Sequence, residues 1–67
     1  MELIWKEYLR GVELQVNGAG TQYWAFFGIG CCLVWYVDGE GRAVKRGEYS
    51  TLKEAKEVCL AMYLLNQ

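Results

Sequence analysis

Two apolar segments rich in aromatic residues lie in the middle of this sequence and limit what it can fold into. They read QYWAFF (22–27) and CCLVWYV (31–37), and Gly28-Ile29-Gly30 separates them. Both are rich in aromatic and branched side chains and too short for helices of this composition, which predicts a β-hairpin. Because successive side chains of a strand point to opposite faces, both faces of both strands are apolar. Any fold for this chain must therefore cover two apolar faces of one sheet.

Shorter segments before this hairpin predict further strands. VELQV (12–16) alternates apolar and polar residues, as a half-buried strand does. The segment 2–9 fits either a helical stripe or a strand. We interpret it as a strand that turns at Arg10-Gly11, because so short a segment rarely forms an independent helix. Asn17-Gly18-Ala19-Gly20 and Asp38-Gly39-Glu40-Gly41 predict turns, since Asn and Gly accept positive φ.

The last part of the chain predicts a helix from about Leu52 to Leu65. Thr51 and Glu54 have the spacing of a capping box, in which the Thr hydroxyl accepts from the N–H of residue 54 and the Glu carboxylate accepts from the N–H of residue 51. The apolar stripe expected to face the sheet consists of Leu52, Ala55, Val58, Cys59, Met62 and Leu65. The sequence predicts one α+β domain over residues 1–67, with four or five antiparallel strands and a C-terminal helix.

A helix of about 14 residues is about 21 Å long, which covers one face of a small sheet and leaves the other face to a partner. With 54% hydrophobic and 15% aromatic residues among 67, the chain has more apolar surface than so small a domain buries. A homodimer or a target protein is the expected partner. The contact is predicted at Trp24, Phe26, Val34 and Tyr36, with Cys32, or at the opposite side chains if the helix covers these.

Basic residues are concentrated in a short predicted edge strand, 42–46. Seven Lys and Arg against eight Asp and Glu give a net charge of −1. This balance excludes the overall basic charge typical of non-specific nucleic-acid binding. A local patch of Arg42, Lys45 and Arg46 is the alternative site, for nucleic acid or phosphate, and single-stranded bases are also able to stack on the aromatic face.

The cysteines and the absence of histidine limit the chemistry. The chain contains Cys31, Cys32 and Cys59 and no His. Neighbouring strand residues point apart, so the first two do not form a metal pair, and Cys59 is expected in the apolar core. No nucleophile has an adjacent base. We therefore expect no enzyme activity, no metal and no cofactor.

The cysteine pattern and the hydropathy also bear on location. Three cysteines without CxxC spacing favour a reducing, cytoplasmic compartment. The apolar run 23–37 is interrupted by two glycines and is shorter than a membrane-spanning helix requires. We expect no membrane association.

One further signal is a string of residues shared with a known family: Trp35, Asp38, Gly41-Arg42, Lys45-Arg46, Tyr49, Thr51 and Glu54-Ala55. This segment, 35–55, resembles the arm-type DNA-binding domains of phage integrases and, more distantly, the plant AP2 module. The resemblance implies a sheet that enters a DNA groove, with Arg42, Lys45 and Arg46 on phosphates and bases. The chain departs from that pattern, because its sheet is aromatic and acidic residues surround the three cations.

The stretch 47–56 is also similar to the endings of small phage and mobile-element proteins that inhibit or regulate host proteins. We therefore predict a non-catalytic module of this type, which binds a host protein through an aromatic sheet face. DNA binding through the basic strand 42–46 is the alternative.

Overall fold

A computed structural model describes residues 2–66, in which five strands precede one helix. The elements are β1 (Leu3–Tyr8), β2 (Gly11–Val16), β3 (Ala19–Phe27), β4 (Cys32–Val37), β5 (Ala43–Tyr49) and α1 (Leu52–Leu65). The strands form one antiparallel sheet in the order β1-β2-β3-β4-β5, so each strand pairs with the next one along the chain. The α+β prediction is confirmed, as are the strand interpretation of the first segment and both ends of the helix.

The β2-β3 turn is tighter than the sequence predicted. Asn17 and Gly18 have φ values of 53° and 82°, the left-handed values of a type I′ hairpin turn. Val16 pairs directly with Ala19, so the turn consists of two residues and Gly20 already belongs to β3. The Asn-Gly dipeptide alone reverses the chain.

Gly11 belongs to β2 and not to the first turn, which consists of residues 9–10. It pairs with Tyr8 on one side and with Phe26 on the other. A Cβ atom at Gly11 would overlap the carbonyl oxygen of Ala25 and would lie 2.9 Å from Cδ1 of Phe26. The backbone of β3 and the Phe26 ring therefore occupy the space that any side chain would need.

A bulge interrupts the pairing of β2 with β3 around Leu14. Three β3 residues, 21–23, lie opposite this one residue. The Thr21 hydroxyl donates to the Leu14 carbonyl at 2.8 Å and accepts from the Tyr23 N–H at 3.3 Å, and so replaces part of the missing ladder. Gln22 takes a left-handed φ of 73°. Because the bulge adds two residues, an even number, β3 presents the same alternation of faces before and after it.

The helix packs on one face of the sheet and forms the core there. The buried residues are Val12, Leu14, Tyr23, Ala25, Cys32 and Val34 of the sheet with Ala55 and Cys59 of the helix. Leu65, predicted to face the sheet, is 83% exposed. At 100° per residue it lies about 100° around the helix from the line through Ala55 and Cys59. The predicted stripe is therefore wrong at its last residue.

Side chains fix both ends of the helix. The N–H of Glu54 donates to the Thr51 hydroxyl at 3.2 Å, as the capping box predicted. The Glu54 carboxylate differs from that prediction, since it accepts from the Thr51 hydroxyl at 3.3 Å. At the other end, Nδ2 of Asn66 donates to the Tyr23 hydroxyl at 3.2 Å and to the Met62 carbonyl at 2.9 Å. The last turn is thus joined to the central strand of the sheet.

Replacing Gly11 with Ala tests the close approach of β2 and β3. We expect Gly11→Ala to lower the free energy of unfolding by about 2 kcal/mol, because the added methyl group displaces the backbone of β3. Urea denaturation followed by tryptophan fluorescence measures this change. Gly39→Ala is the matched control, since no atom lies within 4 Å of its Cβ position. Equal stability of the two variants would contradict the packing described for Gly11.

Candidate functional site

The cross-strand pairs show which side chains share the face opposite the helix. Trp24 pairs with Trp35, and Phe26 pairs with Leu33. Tyr8 joins them, because it pairs with Gly11, which in turn pairs with Phe26. We call this set of five apolar side chains the open face: Tyr8, Trp24, Phe26, Leu33 and Trp35. No other element within residues 2–66 covers it.

On the open face, the Trp24 ring contacts those of Phe26 and Tyr8. The Trp24 and Phe26 rings stack with centroids 5.5 Å apart and an angle of 4° between their planes. The Tyr8 ring lies 4.9 Å from that of Trp24, tilted by 50°. Both Trp24 and Trp35 remain partly exposed, and Tyr8 is 43% exposed. Contact between these rings limits the rotamers that each of them can adopt.

The four residues predicted to form one contact surface are divided between two faces. Trp24 and Phe26 lie on the open face, whereas Val34 is fully buried beneath the helix and Tyr36 packs at the margin of the core. The predicted grouping is therefore corrected, because in β4 the alternate residues lie on the open face. Sequence alternation assigns faces within one strand, but a shift of one residue between strands exchanges the faces.

Arg42, the first predicted phosphate ligand, is held by the turn before β5. Its Nε lies 3.1 Å from Oδ2 of Asp38, and its Nη2 lies 3.1 Å from Oε2 of Glu40. Oδ1 of Asp38 also accepts from the backbone N–H of Glu40 and of Arg42, each at 2.9 Å. These hydrogen bonds, of which that from the Arg42 backbone has the largest effect, hold the pKa of the Asp38 carboxyl below its ordinary value. Two carboxylates therefore already neutralise this cation.

The two cations that lie in β5 also have partners within the chain. Lys45 forms an ion pair with Glu48, and the hydrogen bond from Lys45 lowers the pKa of the Glu48 carboxyl. The Arg46 guanidinium lies 5.9 Å from the centre of the Tyr36 ring. Of the three predicted phosphate ligands, Lys45 and Arg46 thus lie in β5 and Arg42 directly precedes it. A nucleic acid would compete with acidic or aromatic neighbours for each of them.

The cysteines form no metal-binding cluster within residues 2–66. Cys59 is fully buried, as predicted, and its thiol points to the carbonyl oxygen of Trp24 at 3.5 Å. Burial raises the pKa of the Cys59 thiol to about 11. In the described part of the chain no three His, Cys, Asp or Glu side chains come close enough to bind a metal ion, and no pocket encloses a small molecule.

Within residues 2–66, no helix has the length and apolar character needed to cross a membrane.

Comparison of the chain with protein-family models, with curated proteins and with solved structures finds no significant match. The resemblance of residues 35–55 to arm-type DNA-binding domains therefore stays a prediction, as do the phage origin and the cytoplasmic location.

Thiol labelling tests which face of the sheet the helix covers. At pH 8 we expect Cys31, which is partly exposed, to react fastest with a disulfide reagent, and Cys32 and Cys59 to react only after unfolding. A pKa near 11 in place of 9.0 leaves Cys59 with about a hundredfold less thiolate at this pH. Mass spectrometry of labelled peptides measures the three rates. Rapid labelling of Cys59 in the folded protein would contradict the described core.

Proposed function

We propose that this protein is a non-catalytic protein-binding module and that the open face is its contact surface. The observation that supports the proposal is the group of five large apolar side chains that the helix leaves uncovered on one face of the sheet. The similarity of residues 47–56 to small phage and mobile-element proteins favours inhibition or regulation of a host protein as the role.

The kinds of side chain on the open face support this proposal. Trp and Tyr are the residues most enriched where binding energy is concentrated in protein interfaces, and charged residues are depleted there. The Trp24 ring already contacts those of Phe26 and Tyr8. These three side chains therefore lose little rotamer entropy when a partner binds, which favours affinity.

Charged residues lie at the sides of the open face. On the β1-β2 side, Lys6 pairs with Glu13, and Glu13 pairs with Trp24. On the β5 side, Lys45 pairs with Trp35. An apolar centre between charged margins is the usual arrangement of a specific protein interface.

Nucleic-acid binding through Arg42, Lys45 and Arg46 is the alternative. Its support is the closeness of the three cations along the chain, two of them in β5 and Arg42 directly before it. Against it stand the ion pairs of Arg42 and Lys45 and the net charge of −1. The three cations already contact acidic or aromatic side chains of the same chain, and the protein as a whole is acidic. Phosphate binding therefore gains little from the counterion release that usually drives it.

Truncating the two tryptophans of the open face tests the proposed function. The target is first identified by co-purification with the tagged protein from its native host, and its affinity is then measured by calorimetry. We expect Trp24→Ala and Trp35→Ala each to weaken binding at least about thirtyfold, because hot-spot side chains contribute about 2 kcal/mol or more. Leu64→Ala is the matched control, since Leu64 is 49% exposed on the helix, away from the open face. A target that binds both tryptophan variants with native affinity would refute the proposal.

Fluorescence anisotropy with labelled duplex and single-stranded oligonucleotides tests the alternative. We expect no saturable binding at about 200 mM salt, because the cations of β5 are paired within the chain. The variant that reverses the charge of Arg42, Lys45 and Arg46 provides the comparison. Nucleic-acid binding becomes the better function if the native protein binds with a steep salt dependence and this variant does not.

A further inference from the structure

We propose that a second copy of this chain occupies the open face in a two-fold symmetric dimer, and that the target must displace it. The inference builds on the proposed function, since it names the resting occupant of the same face. Two neighbouring rows of side chains, which run across the five strands, carry the argument.

The pairing registers define these two rows. Row one consists of Lys6, Glu13, Trp24, Trp35 and Lys45. Row two consists of Tyr8, Gly11, Phe26, Leu33 and Glu48. Each row contains one residue from every strand, and on β1 to β4 the rows are two residues apart along the strand. They therefore lie next to each other on one face of the sheet.

A two-fold axis parallel to the rows and midway between them places row one of each copy against row two of the other. Lys45 then faces Glu48 of the second copy, and Lys6 faces the Tyr8 ring. Opposing apolar positions match as well, because Trp24 lies against Phe26 and Trp35 against Leu33. Glu13 lies against Gly11, which has no side chain to obstruct it.

Interactions within one chain support the two polar contacts. Lys45 already forms an ion pair with Glu48, and Lys6 already lies 5.4 Å from the centre of the Tyr8 ring. In the dimer the same groups meet across the interface, so that two Lys45 and two Glu48 side chains form one network. No new kind of contact is required of them.

The other simple two-fold arrangement is electrostatically unfavourable. An axis parallel to the strands would keep each row against itself and would place Lys6 opposite Lys45 of the second copy. Like charges directly opposed across an interface are destabilising. The charges at the two margins of the sheet therefore select the first arrangement. In it, the strand axes of the two copies are nearly aligned, as in aligned sheet packing.

The size of the open face sets the expected strength of the dimer. Five strands about 4.8 Å apart and about six residues long give a face of about 24 by 20 Å. The accessible surface of its side chains exceeds this flat area of about 480 Å² per copy, which brings the face near the lower end of specific interfaces, roughly 800 Å² per partner or less. The Lys45 and Glu48 side chains at its margin are exposed, so their ion pairs add little affinity. We therefore expect dissociation in the micromolar range, which leaves the face available to a tighter target.

Charge exchange between Lys45 and Glu48 tests the arrangement. Sedimentation equilibrium at low ionic strength, over about 1 to 200 µM protein, measures the dimer dissociation constant by mass action. We expect Lys45→Glu and Glu48→Lys each to weaken the dimer at least about tenfold, because like charges then face each other across the interface. The double variant Lys45→Glu/Glu48→Lys restores opposite charges and is expected to return the constant to near its native value.

Lys53→Glu is the matched control, because it makes the same charge change on the exposed side of the helix. Circular dichroism establishes that every variant is folded. A native protein that stays monomeric over the whole range, or single variants that dimerise as the native protein does, would overturn the inference.

The outcomes separate this inference from the proposed function. A monomeric native protein that binds its target through Trp35 would overturn the dimer and leave the proposed function intact. The opposite result is a dimer that the double variant restores, together with a target whose affinity is unchanged by Trp24→Ala and Trp35→Ala. That result would keep the dimer and refute the proposed function.

Discussion

One helix of 14 residues covers one face of a sheet whose central strands are apolar on both faces. The arrangement of the molecule depends on this difference between two apolar faces and one covering helix. The side chains between helix and sheet are small. Ala25 and Val34 of the sheet and Ala55 and Cys59 of the helix are all completely buried. Small side chains let the helix lie close to the strands, so the apolar surface that the fold buries lies mainly on the helix side of the sheet. Apart from Tyr23, which is buried in the core, the larger rings lie at the margins and on the opposite side.

The position of the three tryptophans illustrates this division. Trp24 and Trp35 lie opposite the helix, and Trp5 lies at the margin of the core, where the Lys56 ammonium group is 5.4 Å from the centre of its ring. None of the three is fully buried. A domain of 67 residues with its largest side chains outside the core has a narrow margin of stability. Anything that binds the folded state alone, whether a target or a second copy, therefore also stabilises the fold.

Local sequence signals predicted most of the fold. The Thr51 cap and the apolar periodicity after it gave both ends of the helix, and the Asn17-Gly18 dipeptide marked a turn, because these features depend on residues that are close in sequence. The exposed position of Leu65 shows what apolar periodicity does not predict. A residue at the edge of an apolar helical stripe contacts the sheet only if the sheet extends beneath that edge.

The candidate site was only partly predictable. The sequence indicated that one face would stay uncovered and that Trp24 and Phe26 could form it. It did not indicate that Leu33 and Trp35, rather than Val34 and Tyr36, lie beside them, because that depends on the register between strands. The register between β3 and β4 is set by the length of the connection between them. The sequence predicted that Cys31 begins the second strand, whereas Phe27 pairs with Cys32 and the connection consists of residues 28–31. This difference of one residue exchanges the two faces of β4.

The order of elements along the chain also has a kinetic consequence. Every strand pairs with its immediate neighbour in sequence, so each hairpin closes a short loop and the contact order of the sheet is low. The helix is the last of the six elements, and Val12, Ala25 and Val34 have no cover until it docks. A sheet that forms before the helix docks therefore exposes apolar side chains on both of its faces. Rapid docking of residues 52–65 would protect such a chain from aggregation.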